Sequence, residues 1–262
     1  MMRVLRNAVR RAHSVRRPST DGQPFFFEPI RSGDTYLVSF PRSGNTFLRH
    51  LVASLVLDRA PAPREIATLV PDVHRTTTSA RPPGGGPLVA KSHAPVRSIP
   101  ANVVYLVRDG RAALLSYYVY LQQRGRPTPA EVDAMLEWPD VWPCPWPQHV
   151  SGWLSYLATR DRSLVLRYED LVAEPARALR EVATLAEIPW TDGAIERAVE
   201  HSSVDAMRTA EGGDTPGSLN FVGTTRRGWP ETFSGRALAR FEAGSRPLLT
   251  RLGYPVASET DG

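Results

Sequence analysis

The sequence predicts an α/β fold, a single domain with a central parallel sheet flanked by helices. Short apolar runs of strand type alternate with segments of helical periodicity, which is the pattern of a doubly wound sheet. Residues 102–107 are nearly all apolar, as expected for a strand buried on both faces. Residues 35–57 have the pattern of a P-loop-like strand–loop–helix unit. A chain of 262 residues with 42% hydrophobic residues fits one sizeable domain or two small ones, and we expect one.

The strand and helix signals follow one another along the chain. β-prone runs are bounded by Pro, Gly, Ser or Asn, and helical segments show apolar residues every three or four positions. The predicted elements are a strand over 35–40, a turn over 42–45, a helix from Thr46, strands over 87–90 and 102–107, a helix over 111–123, a helix after Trp153, a strand over 163–166, and a mostly helical remainder.

Three connections stand out between these elements. Residues 58–86 are rich in proline and close with three glycines, which predicts a mobile connection. Residues 124–150 combine prolines with tryptophans and predict an irregular segment. Such segments beside α/β sheets often face a substrate, although ordinary aromatic packing is the alternative for each tryptophan. A Gly-rich interruption is expected over 211–228.

Charge and cysteine usage limit the class of protein. Residues 1–20 hold six arginines and no acid, and the other 242 residues carry 26 basic against 27 acidic side chains. The near-neutral body argues against nucleic-acid binding, although the arginine arm keeps it as a weak alternative. The single cysteine, Cys144, excludes an internal disulfide, so we expect a cytoplasmic protein, and no apolar run is long enough to span a bilayer. We expect a disordered basic arm over 1–24, with a transit peptide or a membrane-surface helix as the alternatives, one domain over 25–256 and a tail over 257–262.

The turn after the first strand is typical of an anion-binding loop. Ser43, Gly44 and Thr46 lie between a predicted strand and a helix, where backbone amides and the helix dipole favour anions. Arg42 can add a charge-assisted hydrogen bond. A Walker-type ATP site is excluded, because its signature needs Gly-Lys and the only lysine follows Ala90.

That lysine is a second signal. Of 32 basic residues, 31 are arginine and one is Lys91, two positions before His93. A site that needs a compact ammonium would resist replacement by the planar guanidinium. One lysine that escaped a coding bias is the alternative.

Five segments together resemble the sulfotransferases that use 3′-phosphoadenosine 5′-phosphosulfate (PAPS). SFPRSGNTFL resembles the family's 5′-phosphosulfate loop, and NVVYLVRDGRAALLSYY resembles its 3′-phosphate segment. KSHAP, RYEDLVAEP and TRRGWPETF resemble its catalytic stretch, its Y-E-D-L segment and its C-terminal tail. The matches occur in family order from about residue 35 to 254. The chain is thus identified as similar to the cytosolic-type branch of this family, which implies a metal-free transfer of sulfate.

The resemblance implies a role for each matching residue. His93 would be the general base, and Lys91 and Arg42 would act on the transferred group and the leaving phosphate. The expected nucleotide-binding residues are Arg42, Ser43, Gly44, Asn45, Thr46, Phe47, Arg108, Ser116, Tyr168, Ser202, Arg226, Arg227 and Gly228. Trp146 and His149 resemble a segment near the acceptor pocket, with core packing as the alternative for Trp146.

The chain departs from the family pattern at several positions. Arg42 stands where lysine is usual, Phe47 replaces a tryptophan beside adenine, and Val204 replaces a phenylalanine. Gly228 runs directly into Trp229, which leaves open whether Arg226 or Arg227 grips the 3′-phosphate. The expected function is sulfate transfer from PAPS to a hydroxyl of a small molecule or glycan. A PAPS- or PAP-binding sensor or scaffold without activity is the alternative, where PAP is 3′-phosphoadenosine 5′-phosphate. The sequence does not choose the acceptor or the oligomeric state.

Overall fold

The computed structural model describes residues 25–75, 86–203 and 228–256. Its centre is a sheet of four parallel strands in the order β2-β1-β3-β4. The predicted α/β class and parallel sheet are confirmed. The strands are β1 (Thr35–Ser39), β2 (Val89–Ser92), β3 (Asn102–Val107) and β4 (Ser163–Arg167).

Helices cover both faces of this sheet. They are α1 (Asn45–Leu57), α2 (Pro63–Leu69), α3 (Gly110–Gln123), α4 (Trp146–Leu157), α5 (Tyr168–Ala173), α6 (Pro175–Leu185), α7 (Asp192–Glu200), α8 (Trp229–Thr232) and α9 (Gly235–Arg251), with one 3₁₀ helix (Val132–Glu137). Among the described residues, the longest apolar helical stretch is too short or too polar to cross a membrane.

Alternation along the strands divides the interior into two cores. In β1, Tyr36 and Val38 face one core with α3, α4 and α9, whereas Leu37 faces the other core with α1, α6 and α7. The residues of β3 alternate in the same way and all six are buried. An almost wholly apolar strand is the sequence consequence of a sheet that is covered on both sides.

Two parts of the chain are more helical than the sequence predicts. The connection 58–86 contains α2, because Pro63 occupies the first turn, where proline favours a helix, and Glu65 accepts the backbone N–H of Ala62 at 2.8 Å. The helix expected after Trp153 already starts at Trp146, again with a proline in its first turn. Proline kinks or breaks a helix when it lies in the interior, whereas in both of these helices it occupies the first turn.

The strand order places a crevice at the carboxyl ends of β1 and β3. The chain runs from β1 to β2 on one side and returns to β3 on the other side of β1. Ligands of open α/β sheets bind at such a switch point. The loop over 40–44 and the residues after Val107 line this crevice, and His93 follows the neighbouring strand β2.

The Gly-rich interruption and the terminal segments stay predictions. Residues 211–227 of the interruption lie outside the described part of the chain, as do 1–24 and 257–262. The proposed boundaries at 25 and 256 are therefore sequence expectations.

Candidate active site

The loop between β1 and α1 turns through two left-handed residues. Arg42 has a φ of 66°, uncommon for a residue with a side chain, and Gly44 has a φ of 93°. A Cβ at Gly44 would lie 2.3 Å from the ring of Tyr168, so glycine also permits close packing here. Among the described residues, no side chain caps the helix that begins at Asn45. Its first amides therefore remain available for an anion.

Side chains of the same loop are tied down or left without a partner. Asn45 Nδ2 donates to a β1 carbonyl at 2.9 Å and to Ser39 Oγ at 3.1 Å, which tethers the loop to its strand. Ser43 is fully buried, and its hydroxyl has no hydrogen-bond partner in the described part of the chain. Thr46 and Phe47 are half-buried at the start of α1. Ser43 Oγ and Asn45 Oδ1 are buried atoms that lack a partner among the described residues, and of the two only the Ser43 hydroxyl can donate to an anion.

Two guanidinium groups meet in the crevice. Arg42 Nε donates to Ser116 Oγ at 3.2 Å, and Arg108 Nη1 donates to the carbonyl of Arg42 at 3.0 Å. Arg108 lies over the Tyr168 ring at 4.4 Å, and Arg42 over the Tyr120 ring at 5.1 Å. Within residues 25–75, 86–203 and 228–256, neither forms an ion pair with a carboxylate. Burial, together with nearby cations such as Arg108, lowers the pKa of Arg42.

This arrangement brings together four of the residues predicted to hold phosphates: Arg42, Ser43, Arg108 and Ser116. Two adjacent cations without acidic partners repel one another and favour a shared anion. The crevice therefore has the chemistry of a site for an anion that carries more than one charge.

The lone lysine sits in a buried ion pair. Lys91 Nζ lies 2.7 Å from Asp72 Oδ2, with 12% and 5% of the two side chains exposed. The backbone carries Asp72 to this position, because Lys91 N donates to Pro71 O at 2.8 Å and Val73 N donates to Lys91 O at 3.1 Å. Residues 71–73 thus extend the sheet beside β2.

Burial dominates the charge balance of this pair. It lowers the pKa of Lys91 to about 8, against the attraction of Asp72. Burial also opposes the charge on Asp72, but the attraction of the Lys91 ammonium prevails and holds the pKa of that carboxyl below its usual range. The ammonium is therefore mostly charged at neutral pH and depends on one carboxylate for that charge.

His93 has a defined tautomer. Its Nδ1 lies 2.6 Å from the carbonyl oxygen of Ser39, which can only accept a hydrogen bond, so Nδ1 carries the proton and Nε2 a lone pair. Burial, and then the Lys91 ammonium and the nearby His74, lower its pKa well below the usual value. The imidazole is therefore neutral at physiological pH, as a general base must be before reaction.

Two residues of this site were missed from the sequence, Asp72 and His74. His74 Nε2 accepts the backbone N–H of His93 at 2.9 Å, and its ring stacks on that of His93. Both residues lie in the proline-rich connection, where no periodic pattern marks them. The one available signal was the apolar pair Val70 and Val73 around Asp72, which is typical of a short strand.

The predicted acceptor residues lie in the interior. Trp146 and His149 are each 1% exposed. Trp146 packs against Phe241 and against Gly110, where a Cβ would lie 2.7 Å from the indole. His149 Nδ1 lies 2.9 Å from the hydroxyl of Tyr105, and burial lowers its pKa to about 4. Contact of either residue with an acceptor stays a prediction.

The remaining nucleotide residues are only partly placed. Ser202 is buried at the end of α7, where its hydroxyl donates to the Ala198 carbonyl at 2.7 Å and lies 3.0 Å from His50 Nδ1. It links α7 to α1, and its contact with adenine stays a prediction. Gly228 precedes α8. Arg226 and Arg227 lie outside the described residues.

The comparison with protein families decides the class of this site. A model of the sulfotransferase domain matches residues 32–215, well over half of the chain. The chain belongs to the sulfotransferase domain family. The match spans β1 to β4 and includes the crevice, Lys91 and His93.

Individual sulfotransferases are similar at moderate identity. The 3-alpha-hydroxysteroid sulfotransferase of Cavia porcellus is 26% identical over 200 residues, which cover 70% of this chain and 68% of that protein. Sulfotransferase 1B1 of Mus musculus is 25% identical over 197 residues, 67% of this chain and 66% of that protein. The chain thus spans about two thirds of the length of these relatives.

Solved structures share the fold. Mouse sulfotransferase SULT7A1 complexed with PAP has a TM-score of 0.62 at 17% identity, over 84% of this chain and 85% of that one. Retinol dehydratase in a complex with retinol and PAP has a TM-score of 0.64 at 17% identity, over 88% and 84%. Within the described segments of this sulfotransferase-family chain, no group of three or more His, Cys, Asp or Glu side chains is arranged to hold a metal ion.

Proposed function

We propose that the protein transfers the sulfuryl group of PAPS to a hydroxyl of an acceptor molecule, with His93 as general base. The observation that carries this proposal is the juxtaposition of a neutral histidine, whose free lone pair is on Nε2, with a buried ammonium and an uncapped helix start. Such a set supplies a base and positive charge at one sheet edge.

The crevice side of the site fits the nucleotide. The amides at the start of α1, the hydroxyl of Ser43 and the guanidinium of Arg42 suit a 5′-phosphosulfate. Arg108 and Ser116 suit the 3′-phosphate, and the half-buried ring of Phe47 suits the adenine. Two similar solved structures, those of mouse sulfotransferase SULT7A1 and of retinol dehydratase, are complexes with PAP, which supports the same assignment.

The reaction then follows from the charges. As the acceptor oxygen bonds to sulfur, its proton moves to His93 Nε2, and the bond between sulfur and the phosphate oxygen breaks with its electron pair left on the phosphate. Negative charge grows on that phosphate, where the guanidinium of Arg42 and the ammonium of Lys91 stabilise it. The backbone carbonyl of Ser39 keeps the proton of His93 on Nδ1, so the lone pair of the ring stays on Nε2.

The acceptor is proposed only as a class, an alcohol or phenol of a small molecule or glycan. The half-buried rings of Phe25 and Trp142 near His93 suit an acceptor with an apolar body. The free, half-buried thiol of Cys144 fits a reducing compartment, and we propose the cytoplasm.

PAPS turnover with a panel of alcohols and phenols tests this function through the release of PAP. His93→Ala should lower kcat by about 10²–10⁴ and leave the Kd for PAP unchanged. His201→Ala, at the end of α7, is the matched control and should behave as wild type. PAP binding without turnover of any acceptor would favour the inactive sensor instead. Full activity of His93→Ala would refute the assigned base.

A further inference from the structure

A second histidine lies directly beside the base. The rings of His74 and His93 are parallel within 8°, with their centroids 5.6 Å apart. His74 comes from the segment that follows α2, and its backbone N–H donates to Asp72 Oδ1 at 3.1 Å. The same carboxylate group holds Lys91 through its other oxygen. His74 is therefore anchored from both its backbone and its ring.

The hydrogen bonds of the two rings define opposite roles. His74 Nε2 accepts the backbone N–H of His93 at 2.9 Å, so it carries no proton. Burial lowers the pKa of His74 to about 4, which keeps the ring neutral and its single proton on Nδ1. His93 carries its proton on Nδ1 and presents the lone pair of Nε2. The pair thus offers one acceptor and one donor.

The Nδ1–H group of His74 is left open within the described part of the chain. Among the described residues, none forms a hydrogen bond with His74 Nδ1, and this atom is not one of the buried polar atoms without a partner. The side chain is partly exposed. Trp142 stands perpendicular to both histidines, at 4.9 Å from the His74 ring and 5.7 Å from the His93 ring, and the Phe25 ring meets the His74 ring edge-on at 5.6 Å. Beside these apolar rings the local dielectric is low, so a hydrogen bond from the N–H to an oxygen of a bound ligand is stronger than it would be in open water.

We propose that His74 is a specificity-determining residue, which donates its Nδ1–H to a second oxygen of the acceptor while the reacting hydroxyl binds His93. The inference rests on the proposed sulfuryl transfer. Two parallel rings with centroids 5.6 Å apart, each with a hydrogen bond of about 2.8 Å, suit two oxygens carried by adjacent carbons. The preferred acceptors are therefore alcohols or phenols with an ether, carbonyl or hydroxyl oxygen on a neighbouring carbon.

Discrimination follows from the unpaired donor. An acceptor without the second oxygen leaves the Nδ1–H without a hydrogen bond once it displaces water. Sites built to bond a polar group reject analogues that lack it, and a single neutral hydrogen bond gives about a tenfold to hundredfold difference in kcat/KM.

Matched probes measure this preference in one competition reaction. 2-Methoxyphenol competes with 2-ethylphenol, and 2-methoxycyclohexanol with 2-ethylcyclohexanol, since each pair differs by an oxygen in place of a methylene group. The wild-type protein should prefer the methoxy compound in the pair that it accepts. His74→Gln keeps an acceptor for the His93 N–H at the position of Nε2 and should lose the preference. His74→Asn keeps a donor at the position of Nδ1 and should retain it, even where the absolute rate falls.

If the role of His74 is purely structural, His74→Gln should prefer the methoxy over the ethyl compound to the same degree as the wild-type protein, and this result would overturn the inference. Equal use of both members of each pair by the wild-type protein also overturns the inference. So does a ¹⁵N NMR spectrum of the PAP-loaded chain in which His74 is protonated at Nε2, or in which 2-methoxyphenol leaves its Nδ1 resonance unmoved. Those readings need no turnover. Failure of the proposed function is separately visible, since it removes PAPS turnover with every acceptor.

Discussion

Replacement of Asp72 by asparagine tests whether the lone lysine acts as a charge. The substitution removes the carboxylate 2.7 Å from Lys91 Nζ and keeps the side-chain shape. With a pKa of about 8, Lys91 is protonated in about nine of ten molecules at pH 7. Loss of an adjacent opposite charge lowers a lysine pKa by about 1–3 units. The charged fraction at pH 7 then falls to between about one half and about one hundredth.

Transfer from preloaded PAPS should fall by the same factor, about twofold to a hundredfold at pH 7. The rate of the variant should rise again as the pH is lowered, because Lys91 regains its proton while His93, whose pKa lies well below 6.5, stays neutral. In the wild-type protein the rate should decline only above pH of about 8. Single-turnover measurements across pH 5.5–9, about the range in which histidine and the shifted lysine titrate, separate these cases.

Asp58→Asn is the matched control, because Asp58 forms an exposed ion pair with Arg197 far along the chain. It should leave both the rate and its pH dependence unchanged. If Asp72→Asn slows transfer equally at every pH, the carboxylate shapes the site without setting the charge, and the reasoning is refuted.

Three further substitutions separate binding, chemistry and folding. Arg108→Ala should weaken PAP binding about tenfold to a hundredfold in calorimetry, since a charge-assisted contact contributes about 1.5–3 kcal/mol. Lys91→Arg should bind PAP nearly as wild type but transfer sulfate at least about tenfold more slowly in single turnover, because a planar fork replaces a compact ammonium in a slot with only 12% exposure. Gly44→Ala should lower the free energy of unfolding by about 1–3 kcal/mol in urea titrations, since φ is 93° and the new Cβ meets the Tyr168 ring.

Controls come from the same residue types. Arg162→Ala removes an exposed arginine that pairs with Glu187 and should not change the Kd for PAP. Gly244→Ala lies in α9, where a Cβ meets open space, and should keep or raise stability. Unchanged PAP binding in a folded Arg108→Ala, or a wild-type transfer rate in Lys91→Arg, would contradict the roles assigned to these residues.

The sequence was informative where chemistry and local pattern coincide. The strand β3, the turn around Gly44 and the pair Lys91 and His93 could be predicted, because each has a distinctive run or composition. Asp72 could not, since its role depends on residues 71–73 extending the sheet beside β2. The pairing of residues 71–73 with β2 is a tertiary contact, and a proline-rich segment has no periodic pattern from which it could be predicted.

The interior position of His149 was equally hidden. Its segment resembles an acceptor-binding stretch, but the helix α4 begins at Trp146 and turns His149 toward the hydroxyl of Tyr105. Which face of a short helix is buried depends on what packs above it, here β3, and a sequence of alternating prolines and tryptophans does not specify that face.

The strand order has a consequence for how such a protein can diversify. The residues that suit the nucleotide lie at the crevice of β1 and β3, whereas the histidine pair and Lys91 lie at β2 and the segment 71–74 beside it. These two groups of residues come from separate stretches of the chain, and β1 lies between β2 and β3 in the sheet. Exchange of the stretch from α2 to residue 75, with Asp72 kept to hold the charge of Lys91, can therefore alter what receives the sulfuryl group while the binding of the donor is inherited unchanged. A graft of about a dozen residues can therefore introduce a new acceptor, while the phosphate-binding residues at the carboxyl ends of β1 and β3 stay the same.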